Sequence, residues 1–280
     1  MNIRKAAVAG SWYPSAAPAL ANAVDRYLAA AGDKSAVELG ELVALIAPHA
    51  GLVYSGPVAA YAYRLLRDRP VALVVLVGPS HFVGFEGVSV YRAGGFDTPL
   101  GVADIDLECA SGLMAAAPIV HERAAAHARE HSIEMQLPFL KRVAPAARIV
   151  PLVMGRQTAE TCRTLGDALG AVLKGRNALI VASTDLSHYN DAATAARLDA
   201  VVIDHVARFD DDGLQRVLEA EPAHACGGGP TVAVMRAARH LGARDAVVLK
   251  YADSGDVSGD KSAVVGYLAA ALGNARRRAR

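Results

Sequence analysis

Short, β-branched apolar runs alternate along this chain with longer alanine-rich segments of helical spacing, and that alternation constrains the fold more than any other feature. The clearest runs are Leu42 to Ala47, Val71 to Val77, Ala178 to Ala182 and Ala246 to Tyr251, each too short for a typical helix. Weaker strand signals, with less clean alternation, cover Gly87 to Tyr91, Ile149 to Met154 and Ala263 to Ala270. Helical spacing marks Ala17 to Ala31, Pro57 to Arg67, Ala159 to Leu173, Ala192 to Phe209 and Thr231 to Leu241. Strands apolar throughout need cover on both faces, and crossover helices supply it. The expected fold is α/β, a three-layer α/β/α sandwich with a mostly parallel central sheet.

With 280 residues, 53% of them hydrophobic, the chain can bury one large core. No repeat and no Pro/Ser/Gly linker divides it, so residues 1–280 read as a single domain with a solvated basic tail over 275–280. Lys+Arg 29 against Asp+Glu 28 leaves a net charge of +1, which gives no overall field to draw in nucleic acid or an anionic membrane. The three cysteines, Cys109, Cys162 and Cys226, are irregularly spaced and form no disulfide framework. No stretch approaches the roughly 18 apolar residues of a membrane span. A cytoplasmic, reducing location is expected, with neither nucleic acid nor membrane as partner.

Three of the best strand candidates are each followed by a histidine in a turn-like segment: Pro48-His49-Ala50-Gly51, Gly78-Pro79-Ser80-His81, and Ser183-Thr184-Asp185-Leu186-Ser187-His188. Ligands of open α/β sheets bind outside the carboxyl ends of the strands, so these histidines and Asp185 are expected to converge on one crevice. Taken singly, each could be a loop histidine bonded to backbone; three together favour a site. Cys226 precedes the helical pattern starting near Thr231, with Pro230 suited to the first helical position. A thiol near a helix N-terminus has a lowered pKa and favours thiolate; an inert small core residue is the other reading. Cys109 and Cys162, in Ala/Leu-rich helical segments, read as core.

Two neutral imidazoles and a thiolate form a three-ligand set with open positions that suits iron(II), copper or zinc rather than magnesium or calcium. His188, with Asp185 three residues earlier, reads as an acid/base pair in which the carboxylate orients the imidazole. In His127-Ala128-Arg129-Glu130-His131-Ser132-Ile133-Glu134 the two histidines would share one helical face, but Ala128 stands where a zinc protease needs glutamate. That segment either touches the pocket through His131 or Glu134 or is a structural helix. No Walker loop, dinucleotide fingerprint or nucleophile elbow is present. Gly227 to Gly229 could form an anion-binding nest or a plain turn.

Taken in order, Ala9-Gly10-Ser11-Trp12-Tyr13-Pro14, Pro48-His49-Ala50-Gly51 with Tyr54-Ser55-Gly56, Gly78-Pro79-Ser80-His81, Thr98-Pro99-Leu100-Gly101, Glu130-His131-Ser132-Ile133-Glu134, Ser183-Thr184-Asp185-Leu186-Ser187-His188-Tyr189, Cys226-Gly227 and Val265-Gly266-Tyr267 resemble the Memo family, also called AmmeMemoRadiSam system protein B. The resemblance spans essentially the whole chain. It implies the fold of class III extradiol dioxygenases, with His49 and His81 as metal ligands and His188 at the position of the catalytic base. Cys226 replaces the carboxylate ligand of those enzymes, which puts ring cleavage in doubt and implies a softer iron or copper site with redox chemistry. Trp12 is implied to stand near the pocket mouth, as an aromatic wall or as a packing anchor, and with His131 and Glu134 completes the expected substrate contacts. A small-molecule or peptide substrate, and radical SAM and AMMECR-type proteins as partners, are further implications. Two alternatives stay open: an extradiol-type dioxygenase, and a non-enzymatic adaptor for a peptide or phosphopeptide.

Overall fold

The computed structural model describes residues 3–32 and 39–275, so of the basic tail expected over 275–280 only Ala275 is described, as the last residue of a strand, and the rest lies outside the described residues. Twelve strands are described: β1 (Ile3–Arg4), β2 (Leu39–Ala47), β3 (Leu73–Pro79), β4 (Val88–Val90), β5 (Gly95–Phe96), β6 (Ala103–Asp104), β7 (Val120–Glu122), β8 (Arg148–Met154), β9 (Ala178–Ser183), β10 (His188–Asn190), β11 (Asp245–Asp253) and β12 (Val264–Ala275). Nine form one large sheet in the order β10-β12-β2-β9-β3-β8-β4-β7, with β11 also paired to β12. The short β1, β5 and β6 make a separate three-stranded sheet.

Every residue of β3 is buried, as expected for a central strand covered on both faces. Side-chain alternation then divides the core. Val75 and Val77 pack with residues of the helices Ala159–Leu173 and Gly228–His240, while Val74 and Leu76 pack with those of Ala17–Ala30 and Leu52–Tyr63. The molecule is thus a mixed α/β fold around a large central sheet.

The expectation of a mostly parallel sheet needs correction. Parallel pairing holds for β2–β9, β9–β3, β3–β8 and the outlying β4–β7, whereas β4–β8, β12–β2, β11–β12 and β10–β12 are antiparallel. The connections explain this. Residues 80–87 and 254–263 are too short to carry a crossover helix back over the sheet, so each returns the chain in the opposite direction. The central block β2-β9-β3 stays parallel, and it delivers the turns bearing His49, Asp185 and His81 to one end of the sheet.

Two further expectations change. The second helix begins at Leu52 rather than near Pro57, because its first turn is closed by the Leu52 amide donating to the Trp12 carbonyl at 2.8 Å. His127 and His131 do not share a helical face, since the helix Ala124–Ala128 stops between them. His127 instead meets Ser89 Oγ at 3.0 Å, away from the strand-end crevice.

Candidate metal centre

The ligand atoms of His49, His81 and Cys226 all lie within 4.8 Å of one another. His49 is buried, Cys226 half-buried and His81 on the rim, so the group opens to solvent on one side. The Cys226 Sγ lies 3.2 Å from His49 Nε2. Burial, and then the neighbouring His81, lower the His49 pKa to about 3, which keeps the imidazole neutral as a ligand must be.

Each candidate ligand is oriented from behind. His49 Nδ1 meets Ser183 Oγ at 2.9 Å. Glu130 grips the His81 turn twice: one carboxylate oxygen accepts from the His81 amide at 2.6 Å, and the other from Nδ1 at 2.8 Å and from the Ser132 amide at 2.9 Å. Burial opposes ionisation of Glu130, but these donors outweigh it and hold the carboxylate below its usual range. Glu130, Ser183 and Gln136 are the residues that sequence reasoning missed. Their one available signal was adjacency to His131 and to the end of a strand.

Asp185 joins the other two ligands. Its carboxylate accepts from the amides of His49 at 2.7 Å and Ala50 at 3.3 Å, while its own amide donates to Cys226 Sγ at 3.3 Å. Among the described residues no hydrogen bond joins Asp185 to His188: the carboxylate is bonded to the His49 turn, and His188 acts on it through space, favouring its ionised form against burial. His188 opens β10 and shares a cavity of about 420 Å³ with Cys226, Asn190, Pro222 and His224. A second cavity, of about 490 Å³, meets Cys226 from the side of Arg156, Gln157 and Glu219.

The helix after Cys226 starts at Gly228, with Pro230 as its third residue rather than its first. The dipole-lowered thiol expected there is not found: burial, reinforced by the Asp185 carboxylate, pushes the Cys226 pKa well up. The glycines do not form an open anion nest either. The amides of Gly227, Gly228 and Gly229 donate to Thr184 Oγ1, the Ala225 carbonyl and Gln157 Oε1. Gly227 is required by proximity, since a Cβ there would lie 2.3 Å from the Ser183 carbonyl oxygen.

On the rim, His131 stacks on His81 with ring centroids 4.4 Å apart and meets Trp12 at a tilt, 4.2 Å between centroids. Glu134 is fully buried and binds the N-terminal segment: it accepts from Arg4, from the amides of Ala7 at 2.8 Å and Val8 at 3.0 Å, and from the Tyr13 hydroxyl at 2.6 Å. It therefore acts on the crevice through the segment carrying Trp12.

Fold and site together define an α/β protein with a His/His/Cys candidate ligand group at the carboxyl ends of its central strands. A model of the Memo-like protein family matches residues 4–271. A MEMO1 family protein of Methanosarcina mazei is 41% identical over 272 residues, covering 96% of this chain and 98% of that one. Another, of Methanothermobacter thermautotrophicus, is 39% identical over 272 residues, covering 95% and 98%. The chain belongs to the Memo family. An uncharacterized protein of Escherichia coli K12 of known crystal structure is similar in fold alone, with a TM-score of 0.54 at 16% identity over 81% of this chain and 99% of that one.

Proposed function

We propose that this protein binds one iron or copper ion, with zinc as the third candidate, through His49, His81 and Cys226, and performs redox or oxygen-dependent chemistry on a small or peptidic substrate. The observation that carries this reading is the meeting of two imidazoles and a thiol, from three widely separated turns, within 4.8 Å. The donor set fits a borderline or soft ion better than a hard one. When bound, such an ion supplies redox change and polarises a ligand at its open position. The chain's own residues do the rest: His188 holds or removes a proton from a substrate in the cavity it shares with Cys226, and Trp12 and His131 give aromatic cover on the His81 side of the ligand group. Glu134 contributes by fixing the segment that presents Trp12.

In this reading the architecture is a three-layer sandwich of the class III extradiol dioxygenase type, the setting is cytoplasmic, and the working partners are radical SAM and AMMECR-type proteins. The test is the metal content of anaerobically purified protein beside His49→Ala and Cys226→Ala variants. Both variants should lose the ion. Equal content in all three sinks the reading.

The shared cavity of His188 and Cys226 also favours a second reading, an extradiol-type dioxygenase. That enzyme would consume oxygen with a catechol and lose turnover, but not metal, in His188→Ala. For the adaptor reading, the glycine amides near Cys226 are internally bonded, which leaves the pocket histidines as its donors; peptide binding that persists after metal removal would favour it.

A further inference from the structure

Behind His49 runs a chain of buried polar side chains that ends at Tyr63. Tyr63 Oη lies 2.8 Å from Gln136 Oε1, and Gln136 Nε2 lies 3.0 Å from the Pro48 carbonyl and 2.7 Å from Ser183 Oγ. Ser183 Oγ is in turn 2.6 Å from the Ser132 carbonyl and 2.9 Å from His49 Nδ1. Tyr63, Ser132, Ser183, Gln136 and His49 are all buried.

The direction of every bond follows from two groups that can only accept. The Pro48 carbonyl needs the amide nitrogen of Gln136, which turns Gln136 Oε1 toward Tyr63 and makes the phenol the donor. The Ser132 carbonyl needs the single hydroxyl hydrogen of Ser183. Ser183 then has only lone pairs left, and one of them receives the second N–H of Gln136. The other faces His49 Nδ1 at a distance that suits a bond only if that nitrogen carries the hydrogen.

From this count we infer that Ser183 and Gln136 are positioning residues that lock His49 as its Nδ1–H tautomer and leave Nε2, the atom facing Cys226, as the free lone pair. The inference rests on the metal-site reading only for its consequence, since the tautomer is a property of the metal-free chain. Ser132 extends the device to the second histidine. Its amide donates to Glu130, whose carboxylate can only accept from His81 Nδ1, so one backbone segment presents both imidazoles in the same tautomer.

Two measurements test this. In metal-free protein, the 15N shifts of His49 from long-range 1H–15N correlation should show a protonated Nδ1 and an unprotonated Nε2 near neutral pH. The opposite pattern overturns the inference. Ser183→Ala should release the lock, giving a mixed tautomer and a cobalt(II) affinity lower by about 10- to 100-fold. Ser183→Thr, which keeps the hydroxyl, should restore both, and Tyr63→Phe should leave the tautomer unchanged, because Pro48 still orients Gln136. A Ser183→Ala protein that folds, keeps the Nδ1–H signature and binds cobalt as tightly as the parent refutes the role. Should Ser183→Ala fail to fold, the wild-type shifts decide alone. A wild-type protein that binds no cobalt while showing the Nδ1–H pattern refutes the metal reading and upholds the lock.

Discussion

At the scale of single residues, Cys226 carries the sharpest consequence. Its sulfur receives the Asp185 amide and meets His49 Nε2, but burial and the nearby carboxylate keep the thiol protonated where a metal ligand must be thiolate. On the proposed function, metal uptake would displace a proton from Cys226, whereas His49 is already neutral and would contribute none. The apparent zinc or cobalt(II) affinity is expected to rise about tenfold per pH unit between roughly pH 7 and 8.5. Competition titrations across that range check the slope, which Cys226→Ser should flatten. A wild-type affinity independent of pH would mean that the thiol is not ionised on binding. Gly227→Ala tests the same corner sterically. The added Cβ would meet the Ser183 carbonyl oxygen at 2.3 Å and Thr184 Cβ at 2.7 Å, so the turn must shift and move Cys226 from the imidazoles. About 1–3 kcal/mol of stability and most of the metal affinity should go together, read by urea melts and by cobalt titration.

At the scale of elements, the N-terminal segment behaves as a strap closed by one buried ion pair. Arg4 donates to Glu134 and to the carbonyls of His127 and Glu130, and both charged side chains are nearly excluded from water. Breaking such a pair leaves a buried charge uncompensated, so Glu134→Ala should cost about 3–5 kcal/mol. Trp12 is the sole tryptophan and lies on His131, so its emission should shift to the red in that variant before the main thermal transition. A variant as stable as the parent, with unchanged emission, would refute the strap. This strap marks the limit of what the sequence could reveal. The central strands and the helix Ala159–Leu173 were legible because continuous apolar runs and helical spacing are local signals. Convergence of His49 and His81 was legible because parallel strands, here β2 and β3 on either side of β9, send their turns to one end. The strands β1, β5 and β6, of two residues each, carry no periodicity to detect. The partners of Glu130 and Glu134 are set by contacts across 49 and as many as 130 positions, which no local pattern encodes.

At the scale of the whole molecule, the fold commits buried histidines to the neutral state, and acid should therefore unfold it. Burial lowers the pKa of His127 to about 4 and those of His49 and His131 to about 3. Each folded value lies below the value of about 6.5 for the unfolded chain. Their contribution to stability is thus complete above about pH 6.5 and is lost as pH falls toward 4 and below. Asp185 works in the opposite direction: burial raises its pKa to about 6, so the native state holds a proton that the unfolded chain releases between about pH 4 and 6. Asp199, which burial also raises, adds to this opposition, but the three histidines still outweigh the two carboxyls and leave a net uptake of roughly one to two protons on unfolding near pH 5. The corresponding slope is on the order of 2 kcal/mol per pH unit, with stability falling as the solution is acidified. His127 separates this effect from metal chemistry, because its ring contacts Ser89 rather than the ligand group. His127→Gln should remove about one proton from the slope while leaving cobalt affinity at pH 7.5 unchanged. Urea melts at intervals between pH 7 and 4.5 measure the slope directly, and an identical acid limb in the two proteins would show that His127 is not among the groups that protonate on unfolding.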